Sequence, residues 1–183
     1  NNQASDIYNY YKNEPVKLYE GLSEIISKLG SKTRANNFLV HVNTAIDLYK
    51  EGLLDAEKVI EAYENAIKYL GEVTPKNETE GKMIAKTIED IESLFIQSHV
   101  ASCENLIALF TPRFEADPQN VDIAKNIVRM MNVTEDCTDN DLFMNAVTVM
   151  YNSEPSHTSA YFLYKLHSSR DESDLAVKYI KEA

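Results

Sequence analysis

The sequence predicts an all-α chain of about nine or ten helices joined by short loops. Three observations predict it. Apolar residues recur at helical spacing from Pro15 almost to the end of the chain. No segment sustains the period-two alternation of a half-buried strand. The five glycines and five prolines fall mostly between the periodic runs, where they stop one helix or open the next. Short loops make sequence neighbours antiparallel.

The first helix, over residues 6–13, is tyrosine-rich, with Ile7, Tyr10 and Tyr11 at helical spacing. Glu14-Pro15 ends it, because the residue before proline is pushed out of the α region. Pro15 then serves as the first residue of the second helix, whose stripe is Leu18, Leu22, Ile25, Ile26 and Leu29, stopped by Gly30. The third helix spans about 36–51, with Phe38, Leu39, Val42, Ala45, Ile46 and Tyr49 inward and Gly52 closing it. Asp55 is the expected N-cap of the fourth, which carries Val59, Tyr63, Ala66, Ile67 and Leu70 and ends at Gly71. A loop around Pro75 leads into a longer helix to about 98, with Ile84, Ile88, Ile91, Leu94 and Phe95. Five more helices follow at about 102–116, 119–132, 139–152, 157–168 and 171–183. Asp117-Pro118 reads as an N-cap followed by a first-turn proline, and Thr138 with Asp141 resembles a capping box. Pro112 falls mid-helix, where it removes a donor and clashes one turn back, near Ala108.

At 183 residues the chain is long enough to bury a core. Its 44% hydrophobic and 26% charged residues are the balance of an ordinary globular protein. The net charge of -11 argues against nucleic acid and anionic membrane surfaces as partners. No apolar run reaches the ~18 residues of a transmembrane helix, so no integral membrane segment is expected. Without an initiator Met or an apolar leader, the chain reads as processed or trimmed, a removed signal peptide leaving no trace. It stops inside a helical pattern, so more protein is expected to follow Ala183.

The second helix of each predicted pair carries a spaced set. Leu106, Phe110, Arg113 and Pro118 are followed by Phe143, Val147, Met150 and Pro155, then by Ala176, Ile180 and Ala183. Val59, Tyr63 and Ala66 share the first two intervals. A recurrence in the mid-thirties, with proline at the pair boundary, resembles the tetratricopeptide repeat. The runs Thr44-Ala-Ile-Asp-Leu-Tyr-Lys50, Leu94-Phe-Ile-Gln-Ser98, 101–118 (ASCENLIALFTPRFEADP) and Glu135-Asp-Cys-Thr-Asp139 look like those of exported tetratricopeptide-like proteins of Bacteroidetes bacteria. The likeness covers most of residues 36–183. It implies a compartment, exported and periplasmic or cell-envelope associated, and a fold, but no reaction.

In such a fold one pair cannot bury its stripe alone. Stacked antiparallel pairs cover one another and build a right-handed α-α superhelix with a concave face lined by the first helix of each pair. The expectation is one helical-repeat domain over 1–183, with 1–97 a divergent helical part and 98–183 the repeats, truncated at the C-terminus. On the 119–132 helix the outward positions are Asp122, Lys125, Arg129 and Asn132, the candidate partner contacts. The alternative is a merely solvated helix face.

Cys103 and Cys137 are the two cysteines. They are two small hydrophobes in a reducing cytosol, metal ligands, or a disulfide. No further cysteine or histidine pair supports a metal site. Antiparallel packing of the 102–116 and 119–132 helices places the start of one beside the end of the other, just before Cys137, which favours the disulfide and hence an oxidising compartment. His41, His99, His157 and His167 are scattered without i,i+3 or i,i+4 spacing, so surface or partly buried positions are expected. No nucleophile elbow and no glycine-rich phosphate loop appears. Tyr8, Tyr10, Tyr11 and Tyr19 cluster near the N-terminus, to pack the first helix or to offer stacking surface to a sugar or peptide. Asn77-Glu-Thr and Asn132-Val-Thr match the glycosylation sequon, which matters only in a eukaryotic secretory host.

The expected function is a non-enzymatic protein- or peptide-binding scaffold without cofactor, catalytic residues or metal. The alternative is a glycan-handling or other small-ligand protein or enzyme on a helical frame. The sequence does not specify the oligomeric state.

Overall fold

The computed structural model describes residues 2–182. Among the described residues it contains ten α-helices, one 3-10 turn and no strand, so the all-α class and the helix number are as expected. The chain divides into two compact units, Asn1–Ala101 and Ser102–Ala183.

The first unit holds α1 (Asn2–Tyr11), α2 (Pro15–Leu29), a 3-10 turn (Gly30–Lys32), α3 (Ala35–Lys50), α4 (Ala56–Gly71) and α5 (Glu78–Gln97). α3 is its centre, packed against α2, α4 and α5. Contact on several sides buries more than one stripe of α3. Thus His41, Thr44 and Leu48 are buried beside Phe38, Val42, Ala45 and Ile46, while the expected Leu39 and Tyr49 are only half-buried. Tyr63 of α4 stacks on Phe95 of α5, with ring centroids 4.1 Å apart. Gly30 ends α2 at φ 51, a conformation that costs glycine little. A Cβ there would also lie 3.3 Å from the Tyr69 ring. Leu29, the last residue of the expected α2 stripe, is exposed because the chain has already begun to turn.

The second unit holds α6 (Cys103–Ala116), α7 (Val121–Asn132), α8 (Asp141–Ser153), α9 (His157–Ser169) and α10 (Ser173–Glu182). Each helix packs on the next, most extensively α7 on α8 and α9 on α10. Leu106, Phe110, Ile127, Met131, Phe143, Val147 and Leu163 are sealed in its core. α6 continues through Pro112, which is exposed, and buries Phe110 and Phe114 on either side of it. The last spaced set differs from expectation. Ala176 is buried, but Ile180 is 44% exposed and Tyr179 takes the inward position. Tyr179 stands edge-on to Tyr151 at 5.3 Å and flat on His167 at 5.5 Å. Ala183 lies outside the described residues.

Two helix starts are corrected. Asp117 and Pro118 do not open α7: Asp117 terminates α6, and Asn120 caps α7 by accepting from Ile123 N–H at 3.1 Å. Asn120 Nδ2–H in turn donates to Asp117 Oδ2 at 3.0 Å. Likewise Asn140, not Thr138, caps α8, accepting from Phe143 N–H at 2.8 Å. Asp55 stands at the cap of α4 without a side-chain bond. Alanine at Asn120 or Asn140 is expected to cost ~1 kcal/mol each, and alanine at Thr138 less than half of that. Urea unfolding of the three variants checks this, and equal losses at Thr138 and Asn140 would contradict the assignment. His99, Asp136 and Asp171 take left-handed φ values of 53, 52 and 58 without being glycine, so these chain reversals carry no glycine signal.

Candidate functional site

The two cysteines meet as the helix order requires. Cys103 opens α6 and Cys137 lies in the loop after α7, sealed from solvent. α6 packs on α7, and the two sulfurs stand at disulfide distance, with a Cα–Cα separation of 5.2 Å.

The candidate contacts on α7 share one face. Asp122, Lys125 and Asn132 are exposed and Arg129 is half-buried. Lys125 Nζ reaches Glu154, at the end of α8, at 3.2 Å. Arg129 Nη2 donates to Asn126 Oδ1 at 3.4 Å. The Lys125 bridge is solvent-exposed, so it is worth at most ~1 kcal/mol and holds the lysine only weakly.

A second site lies in the first unit, where Tyr19 is the one lining residue that the sequence marks as a possible stacking surface. A cleft of about 500 Å³ is lined by Tyr19, Glu20 and Ser23 of α2, by His41 of α3, and by Lys58, Glu61, Asn65 and Tyr69 of α4. His41 is only 5% exposed and stacks on Tyr19, with ring centroids 4.9 Å apart and planes 9° apart. Ser23 Oγ–H donates to the Tyr19 carbonyl at 2.8 Å. The same oxygen lies 2.8 Å from His41 Nε2. A hydroxyl has one hydrogen, so with that hydrogen on the carbonyl Ser23 accepts from the ring and Nε2 carries the proton. Nδ1 is then a bare acceptor, buried and without a partner among the described residues. Protonating it would bury an unpaired charge. Burial therefore lowers the pKa of His41 to about 4, against a slight opposing pull from Glu61. Lys58 Nζ holds Glu61 Oε2 at 3.0 Å. Two carboxylates against one ammonium leave the cleft unsuited to an anion. Its tyrosine rings, hydroxyls and amide suit a neutral polar or a cationic ligand.

The expectation of surface or partly buried histidines is corrected at two of the four positions. His41 and His167 are buried, His167 beneath Tyr179 and bonded through Nδ1 to Glu172 at 2.5 Å. Helical spacing could have flagged His41, which sits one turn from Phe38 and Ala45 on the buried side of α3.

The His41 pKa has a consequence for stability. The folded-state pKa lies below the unfolded value near 6.5, so between pH 6.5 and 4 the unfolded chain binds more protons. Stability is expected to fall as pH drops through that window, by ~3 kcal/mol at most from this residue. An NMR titration of the His41 ring checks the cause; a midpoint near 6.5 would contradict it.

Among the described residues, no group of three or more His, Cys, Asp or Glu is arranged to hold a metal ion. No helix among them is long and apolar enough to cross a membrane. No family model, curated protein or solved structure matches the chain.

Proposed function

We propose that the chain is a non-enzymatic scaffold of the bacterial cell envelope that binds a protein or peptide on a tetratricopeptide-like helical surface. The observation that carries this is the second unit. Its helices pack consecutively, most closely within the pairs α7–α8 and α9–α10, and α7 turns Asp122, Lys125, Arg129 and Asn132 along one polar face. Stacked pairs of this kind generate an extended concave surface when continued as a superhelix. The cysteine pair at disulfide distance supports an exported location. His41 itself is not placed for proton transfer: a buried imidazole with a pKa about 4 is neutral near pH 7, and its Nδ1 is shut off from solvent.

Photo-crosslinkers at Asp122 and Asn132, with a control at Lys178 on α10, test the reading in the native envelope. A protein crosslink from the α7 positions, lost on replacing Lys125 and Arg129 by alanine in a folded variant, is the expected result. Equal crosslinking from Lys178 would remove the case for this face.

The cleft around His41 favours a second reading, a glycan-handling or other small-ligand protein. Tyr19 and Tyr69 flank Glu20, Glu61 and Asn65 there, the mixture of rings and hydrogen-bonding groups that sugar hydroxyls need. Titration with neutral oligosaccharides, followed on the Asn65 side-chain amide, distinguishes the two. Saturable shifts support the cleft; none at high concentration removes it.

A further inference from the structure

α2 is held to the rest of the first unit chiefly through α3. The helices α3, α4 and α5 each pack on the other two, whereas α2 packs on α3 and on the 3-10 turn, and α1 packs on α2. We propose that α1 and α2 form an acid-released flap: protonation of His41 frees the pair from α3 while α3, α4 and α5 stay together. The proposal is independent of the scaffold and small-ligand readings.

Three observations converge on it. The first is the seam between α2 and α3. His41 of α3 is stacked on Tyr19 of α2 and lies 2.8 Å from Ser23 Oγ. Its Nδ1 is sealed from solvent and has no hydrogen-bond partner among the described residues. An imidazolium has two N–H donors. Ser23 takes one, and the other would be buried unpaired on a charged ring. The closed seam therefore excludes the protonated ring, and the proton enters only when α2 moves away. The second observation is what stays behind. Tyr63 of α4 stacks on Phe95 of α5 at 4.1 Å, and Phe38 of α3 stacks on Tyr69 of α4 at 6.1 Å. None of these rings belongs to α2. The third is what moves. A Cβ on Gly21 of α2 would stand 3.0 Å from the Ile7 side chain, so α1 sits against the α2 backbone and travels with it. Gly30, at φ 51 where α2 meets the 3-10 turn, is the natural hinge.

The groups around the ring leave its protonation to burial. Tyr19 stays neutral, burial raising its pKa, and Glu20 lines the same cleft. From α4, Glu61 exerts a slight upward pull, and Lys58 holds that carboxylate at 3.0 Å. Asp90 of α5 lines a groove with Asn43 and Asp47, on another face of α3. Because α2 supplies Tyr19, Glu20 and Ser23 to the cleft, the cleft exists only in the closed form.

Amide hydrogen exchange of the full chain at pH 7 and pH 5, with each rate normalised to its intrinsic value, tests this. At pH 5 the Leu22 and Ile26 amides of α2 are expected to be at least about tenfold less protected than Ala66 of α4 and Phe95 of α5, the mark of a sub-global opening. With His41 near 6.5 when open and about 4 when closed, protection of α2 should fall about 20-fold from pH 7 to pH 5. His41→Phe keeps a ring against Tyr19, His41→Gln keeps a donor for Ser23, and neither titrates. In either variant the fall should shrink to less than about threefold. The comparison between helices of the unaltered chain does not depend on either variant folding. The proposal is overturned if α2 exchanges together with α4 and α5, if its protection does not fall with pH, or if the fall persists in the variants.

Discussion

Replacing Phe143 by alanine is expected to cost about 3–5 kcal/mol, a large part of the stability a domain of this size has. The ring is sealed from solvent and stands edge-on to Phe162, with centroids 5.8 Å apart. It comes from the first turn of α8 and fills the interior that the neighbouring helices share. Deleting it removes the burial energy and leaves a cavity that packed helices close only in part. Ile180→Ala is the matched control. The same spacing pattern singles out Ile180, yet it is 44% exposed, and its loss should cost no more than about 1 kcal/mol. Urea unfolding followed by far-UV circular dichroism measures both. A loss below about 1 kcal/mol at Phe143, or equal losses at both positions, would contradict the packing described for the second unit.

Removing the Cys103–Cys137 link is expected to cost about 3–4 kcal/mol by the loop-entropy relation for a bridge spanning 34 residues. The effect acts mainly on the unfolded chain, which regains the conformations that the link denies it. Two comparisons isolate it. Cys103→Ala with Cys137→Ala should unfold at lower urea than the oxidised chain. Adding reductant to the unaltered chain should move its curve most of the way to that of the double variant. In the native host, both thiols should resist alkylation until reduced, and peptide mapping should join Cys103 to Cys137. Free alkylation of both would place the chain in a reducing compartment and sink the export reading. Cys137 is fully buried, so attack by a small thiol should begin at the half-buried Cys103.

Much of the helical layout was legible because helix signals are local. Pro15 begins α2 and Gly30 ends it, as their backbone preferences require. The cap corrections have an equally local cause. Asn120 and Asn140 are as good caps as Asp117 or Thr138, and two such residues within a few positions compete. The winner is set by where the helix must start to turn its apolar face inward. His41 illustrates the other limit. Helical spacing places it on the buried side of α3, but its stacking on Tyr19 and its bond with Ser23 need α2 to fold against α3, and neither partner is within a turn of it in sequence.

By itself the sequence determined the all-α class, the number of helices, the approximate span of each and the nearness of the two cysteines. All follow from short-range periodicity, from proline and glycine at boundaries, and from short loops that force neighbours to run antiparallel. Only the tertiary structure decided which stripe of α3 is buried, that Tyr179 rather than Ile180 faces inward, and that a neutral buried histidine lines the cleft between α2, α3 and α4. Those depend on contacts between residues far apart in the chain, where the geometry of packing, and not the local pattern, sets the environment of each side chain.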